Sequence, residues 1–452
     1  KNSDLKFGLG YTSDNFISDL RVNINDSEIG IPHGEENHDD HDDHDDHDDD
    51  DHDEDDHDDD DHDEDHDEDH EEHEEEKSYQ DLTNTMISWK NRFLFENRSE
   101  IEFTLGFSSN KRKEFGHHEE EGHDDHDDDD DHDDDDHDED HDDHDEHGEG
   151  PALNMDLETT TFDLKYIFPK SEKLELVFGT NILSQTNTNY GEEELIPDAD
   201  KRDFGVYALS HIHASKWDVL IGLRTDNRKI TTSDFDKNYN SLNASLGFKR
   251  DFSTNKIFRL NFSNGYRAPN LSELFSDGVH HGTAQYEIGD RNLNEEKNFQ
   301  TEISISSFGS DSSFGLDVFY NSVQDYIYLE PTGQTMSSMP VYNYSQADAS
   351  LMGGELYFSK STSLDWLSYK TSFEYVSGEK AEGGYLPFIS PFTFKHAFNL
   401  DFDSNNFKVS IISKGKQNNV GQFETETDSY FLMNLSGSHE FNLTNNNLGF
   451  VW

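Results

Sequence analysis

Cysteine is absent from these 452 residues, which excludes a disulfide framework and any thiolate metal site. Long apolar runs are absent too. None reaches the roughly 18 residues of a membrane-spanning helix, so a helical membrane protein is excluded. A β-barrel is not, because its strands need only about 9–11 alternating residues. Methionine is scarce, 6 in all and scattered, which leaves no thioether cluster suited to Cu(I). Positive charge is short as well: 34 Lys and Arg face 102 Asp and Glu, for a net charge of -68. No starting Met or signal-like segment is visible, so no address can be read, and the expectation is a segment of something longer.

The surplus of acid is concentrated. Residues 35–76 and 119–149 hold 53 of the 102 acidic residues, and 20 of the 26 His lie in or beside the same two regions. One run reads "HDDHDDHDDHDDDDHDEDDHDDDDHDEDHDEDHEEHEEE" and the other "HDDHDDDDDHDDDDHDEDHDDHDEH". Composition of this kind cannot bury a core, so 25–78 and 110–155 are expected to be disordered loop inserts. The rest of the chain is ordinary in charge and rich in aromatics, as a folded body would be.

Outside the runs, apolar and polar residues alternate with period two. In "EIEFTLGF", Ile101, Phe103, Leu105 and Phe107 share a face; in "WDVLIGLR", Trp217, Val219, Ile221 and Leu223 do; in "FGLDVFYN", Phe314, Leu316, Val318 and Tyr320 do. This is the signature of strands with one apolar face. Short links are expected near 12–14, 96–99, 168–172, 214–216, 251–255, 309–312, 361–366 and 403–406. Long ones are expected near 25–78, 110–155, 185–201, 227–238, 267–296, 323–349, 377–393 and 415–428. About 18 antiparallel strands then run up and down, with tight turns at one end and long loops at the other. The predicted fold is all-β: a transmembrane antiparallel barrel whose apolar outer face meets outer-membrane lipid, with both His/acid runs among the long outer loops. The plainer alternative is a soluble all-β repeat protein.

The most specific stretch is "NGYRAPNLSELFSDGVHHGTAQYEIGDRNLNEEKN", residues 264–298. It resembles the barrel signature of TonB-dependent outer-membrane receptors at Arg267, Ala268, Pro269, Asn270, Glu273, Leu274, Phe275, Gly289, Leu293 and Glu296. Asp290 and Arg291 stand where that family has Asn-Pro. Two more stretches are similar: Asn343, Ala347, Gly354 and Glu355 in "YNYSQADASLMGGELYF", and Leu386, Pro387 and Pro391 in "LPFISPFTFKHAFNLDF". The resemblance implies a 22-stranded barrel of which 1–452 is a part, lacking a plug domain, a few early strands and the last one or two. It also implies a TonB complex as partner. These motif residues are read as structural: proline fixes φ at turns, and Arg267 can hold a loop by a bidentate pair.

"DGVHHGTAQYEIGD" with the His/Asp-rich loops looks like the zinc-uptake branch of the family. The donor chemistry agrees, because neutral imidazole and carboxylate suit Zn²⁺. Candidate ligands of a defined site are His280, His281, Glu287 and Asp277. The runs add His33, His38, His41, His44, His47, His52, His57, His62, His66, His70 and His73, then His117, His118, His123, His126, His132, His137, His141, His144 and His147. His211 and His213 would face the lumen near a short turn and either relay metal or form plain polar lining. The expected activity is capture of Zn²⁺ as a transported ligand, with no catalytic cofactor, no enzymatic constellation and no nucleic-acid partner. Haem, copper or nickel as cargo, a passive porin, a metal buffer and a solvated acidic insert or Ca²⁺ binding by the runs remain alternatives.

Overall fold

A computed structural model of the chain describes residues 2–30, 79–115, 151–191, 194–280, 283–443 and 446–451. They form a 20-stranded sheet with one short helix. The first part consists of β1 (Asn2–Thr12), β2 (Phe16–Gly30), β3 (Tyr79–Leu94), β4 (Glu100–Phe115), β5 (Leu153–Ile167), β6 (Leu174–Asn189), β7 (Ala199–Ala214), β8 (Trp217–Thr231), β9 (Asp236–Ser253) and β10 (Lys256–Arg267). Helix α1 (Leu271–Phe275) and two four-residue strands, β11 (Asp277–His280) and β12 (Gln285–Ile288), follow. The last part is β13 (Glu296–Phe308), β14 (Ser312–Met336), β15 (Met339–Ser361), β16 (Leu367–Lys380), β17 (Thr393–Phe402), β18 (Asn405–Lys414), β19 (Tyr430–Leu443) and β20 (Asn446–Val451). With β11 and β12 set aside as a loop hairpin, 18 of the 20 strands make the wall, as the alternation predicted.

Each wall strand pairs antiparallel with the next, and β10 pairs directly with β13. Among the described residues no pairing joins β1 to β20. The faces sort as the sequence implies. Ile221 and Leu223 of β8 lie exposed on the outward face. The inward face is polar: Arg228 donates to both oxygens of Asp203, at 2.7 and 2.6 Å, and Arg224 donates to Asn181 and Asp226. Ring pairs such as Phe16–Phe93, Trp89–Phe103 and Trp366–Phe402 gather toward the short-turn rim, where barrels carry an aromatic girdle at the lipid boundary. The compact apolar cluster sits at the opposite, long-loop rim. It comprises Ile196, Ile230, Tyr239, Leu271, Leu274, Phe275, Leu293 and Ile327, among others.

Two expected long loops are corrected. Residues 323–349 are not a loop but the upper halves of β14 and β15, joined through Ser337 and Ser338 at φ +48° and +57°. Two left-handed residues make the tight hairpin turn whose twist matches the strands. Bulges between Val323 and Tyr326 and between Pro331 and Thr335 shift the phase of the alternation, which hides the continuation in the sequence. The link near 227–238 shrinks to 232–235, because β8 and β9 stay paired in register up to Thr231 and Asp236. Strands also reach into the expected inserts, to Gly30 and Phe115, and β5 begins at Leu153. The interiors of both inserts lie outside the described residues.

Candidate metal sites at the two rims

The loop between β10 and β13 is built around one guanidinium. Arg267 donates from Nη1 to both oxygens of Glu273, at 2.7 and 2.8 Å, and from Nε and Nη2 to Glu296, at 2.9 and 2.7 Å. Asn270 caps α1: its side chain accepts from the Glu273 amide, while the Glu273 carboxylate accepts from the Asn270 amide, a reciprocal capping box. Leu271, Leu274 and Phe275 are thereby pinned into the rim cluster. Gly289 passes so close to α1 that a Cβ there would sit 2.6 Å from the Phe275 amide nitrogen. Arg291, in place of the family's proline, donates to Asp234 at 2.7 Å and covers the Phe275 ring. Its cation holds the Asp234 carboxyl below the usual range, helped by the Thr232 hydroxyl.

This frame carries the β11–β12 hairpin, which β15 supports through parallel pairing of Tyr286–Ile288 with Val341–Asn343. The hairpin register puts His280 and Glu287 on one face and Asp277 on the other. His280 Nδ1 lies 2.9 Å from Glu287 Oε1. Asp277 is set apart and accepts instead from the Tyr286 hydroxyl at 3.0 Å. Glu287 is buried and also accepts from Gln285 and Tyr344. Burial opposes its charge, but the hydrogen bonds from His280 and Gln285 outweigh that and hold its pKa below the ordinary value.

Sequence reading missed the partner on the other side. Arg112 of β4 brings Nη2 to 3.2 Å from His280 Nε2. A guanidinium can only donate, so Nε2 is the acceptor and Nδ1 carries the proton given to Glu287. Arg112 also pairs with the buried Glu114, which accepts from Gln80 at 2.7 Å. No local pattern points to Arg112, since its contact spans 168 positions. His281 and the His of both runs, His33 to His73 and His117 to His147, lie outside the described residues.

A family model described as "TonB dependent receptor-like, beta-barrel" matches residues 3–450. The chain belongs to the TonB-dependent receptor β-barrel family. Members of this family are Gram-negative outer-membrane receptors and transporters, not enzymes. Several solved members share the fold. The copper transporter OprC superposes with a TM-score of 0.69 at 14% identity, over 99% of this chain and 64% of its own. The siderophore receptor PirA from Pseudomonas aeruginosa gives 0.63 at 14%, over 98% of this chain and 65% of its own. The FrpB iron transporter from Neisseria meningitidis (F3-3 variant) gives 0.64 at 13%, over 97% and 64%. The chain thus spans just under two thirds of the length of these receptors.

Within this TonB-dependent receptor barrel, His211 and His213 face inward at the short-turn rim, as the alternation implied. There they meet two acids that sequence reading did not single out, Glu175 and Asp218. The signal was present in the hairpin register: the two-residue turn 215–216 sets Asp218 directly across from His213.

Proposed function

We propose that this barrel belongs to an outer-membrane receptor that captures Zn²⁺ with His/Asp-rich loops outside the cell and imports it by TonB-dependent active transport. The observation that carries the reading is the convergence at one rim. The first run is inserted between β2 and β3, and the second between β4 and β5. Arg112, close before the second run, touches His280 of the hairpin above the same rim. The receptor fold makes a transporter the natural context, and the donor set of imidazole and carboxylate favours Zn²⁺ over hard cations. The runs, with a His about every third to fifth residue, offer many weak exchanging sites and concentrate cations at the mouth. The His280–Glu287 hairpin, with His281 beside it, offers a defined selecting site. The test is radiolabelled zinc uptake against concentration in cells carrying the whole receptor. Deleting both runs is expected to weaken uptake at low zinc and leave it near normal when zinc is plentiful. His280→Ala with His281→Ala should depress it across the range. Cu²⁺, Ni²⁺ or haem outcompeting zinc in wild-type cells would reassign the cargo, and uptake independent of TonB would leave a passive channel.

A further inference from the structure

We propose that Glu175, His211 and His213 form a second site for a divalent transition metal of the Zn²⁺ class, on the inward face at the short-turn rim, with Asp218 orienting His213. Three adjacent strands build it. His211 and His213 are two positions apart on β7, so both project to the same face, and their rings lie 4.2 Å apart. Glu175 of β6 stands directly across from His211, and Asp218 of β8 directly across from His213. One ligand atom from each of Glu175, His211 and His213 falls within 4.8 Å of the others. A tetrahedral ion with bonds of about 2.0–2.2 Å holds its ligands roughly 3.3–3.6 Å apart. Small rotamer adjustments of half-exposed side chains close that gap.

The orientation of His213 fits this role. Its Nδ1 lies 2.7 Å from Asp218 Oδ1 and its Nε2 lies 3.3 Å from Glu175 Oε1. An imidazole that donates one N–H to a carboxylate and offers the other nitrogen to a metal is the usual arrangement for a metal-bound His. His211 Nε2 is 3.7 Å from the same Asp218 oxygen. The charge balance agrees. Glu175 pairs with Lys170, and Lys249 pairs with both Asp218 and Asp251. With neutral imidazoles, the carboxylates of Glu175, Asp218 and Asp251 outnumber the two ammonium groups by one, a charge that either a proton on the imidazoles or a metal ion balances. Lys170 is largely exposed, so its pair holds Glu175 weakly.

The site does not depend on the cargo assigned above, and its test does not measure transport. The whole receptor, purified in detergent, is treated with diethylpyrocarbonate, and modification of each His is read by peptide mass spectrometry. Zn²⁺ is expected to cut modification of His211 and His213 at least about fivefold, while Ca²⁺ leaves it unchanged because imidazole is a poor ligand for hard cations. His396, bonded to Tyr369 away from the cluster, serves as the internal reference. Glu175→Gln should raise the Zn²⁺ concentration for half-protection about tenfold or more. Lys170→Gln should lower it by releasing Glu175, and this second variant keeps the test decisive if Glu175→Gln folds poorly. Two results would overturn the site: His211 and His213 modified as in metal-free protein while Zn²⁺ protects the His of the runs, or Ca²⁺ protecting them equally. Either would leave an ion-paired lining only.

Discussion

Replacing Arg267 with Gln tests whether one side chain holds the rim loop in place. Glu273 and Glu296 retain only 9% and 13% of their side-chain exposure, while Arg267 keeps 40%. Removing the guanidinium strands two nearly buried carboxylates, for which one-partner deletions cost about 3–5 kcal/mol. Two facts move the expectation to the lower end. Arg267 is partly hydrated, and each acid keeps a backbone donor, Asn270 N for Glu273 and Ile327 N for Glu296. We expect about 3 kcal/mol, roughly a hundredfold in the local opening constant. The effect should be confined to 268–295, because the wall strands pair through their own backbones. Hydrogen exchange reads this directly. The amides of Ser276, Gly289 and Asp290, bonded within the loop, should exchange about a hundredfold faster, with β8–β9 amides unchanged. Adding Glu296→Gln should recover part of the loss, since one stranded charge disappears. Exchange within threefold of wild type, or a double variant as damaged as the sum of the singles, would refute the argument.

Gly289→Ala should loosen the same loop by about 1–3 kcal/mol, because its Cβ would press on the α1 backbone at Leu274 and Phe275; faster exchange at Leu274 measures it. The pH response of the β11–β12 hairpin follows from Glu287. Its folded pKa is depressed, so its stabilisation is fully present above the unfolded value of about 4.3 and fades only as pH falls through the lower folded value. Protease resistance of 277–288 should therefore persist through mild acid; loss near pH 6 would contradict the sign. A peptide of the first run should instead release zinc in mild acid. Imidazole must be neutral to ligate, its reference pKa is about 6.5, and neighbouring carboxylates favour protonation. Zinc titrations from neutral to mildly acid pH check this, and unchanged stoichiometry would point to carboxylate-only binding.

The wall was legible in the sequence because a barrel strand has only one requirement, an apolar face opposite a polar one. Trp217, Val219, Ile221 and Leu223 meet it within a single segment. The tops of β14 and β15 were not legible, because Asp325 sits in a bulge at φ +54° and the alternation loses phase there. Ser337–Ser338 also lacks the Gly or Asn that usually announces a tight turn. At the rim, the structural role of Arg267 could be read because its partners follow within one motif. Asp277 misled because proximity in sequence says nothing about hairpin face: an odd offset from His280 sends it to the opposite side. Arg112 was invisible for a different reason. Its meeting with His280 depends on how β4 and the loop after β10 come together around the barrel, which no local spacing encodes.

That hidden contact separates the two kinds of His in the long-loop region. His280 is already committed at both nitrogens, to Glu287 and to Arg112, and Glu287 accepts from three side chains. For His280 to ligate a cation, Nε2 must lose Arg112, a charge-assisted bond of about 1.5–3 kcal/mol. That cost lowers affinity at the hairpin by roughly ten- to a hundredfold relative to the same ligands left free. Arg112 is not stranded by the release, because it keeps its pair with Glu114. Under the proposed function, the hairpin would therefore act as a closed latch rather than an open cage. A cation would then load it only where the local cation concentration is high, and a zinc titration of His280 protection with and without Arg112→Gln checks this: equal half-protection concentrations would refute the latch. Raising that concentration at the barrel mouth is what two dense His/acid runs in the neighbouring loops are physically suited to do.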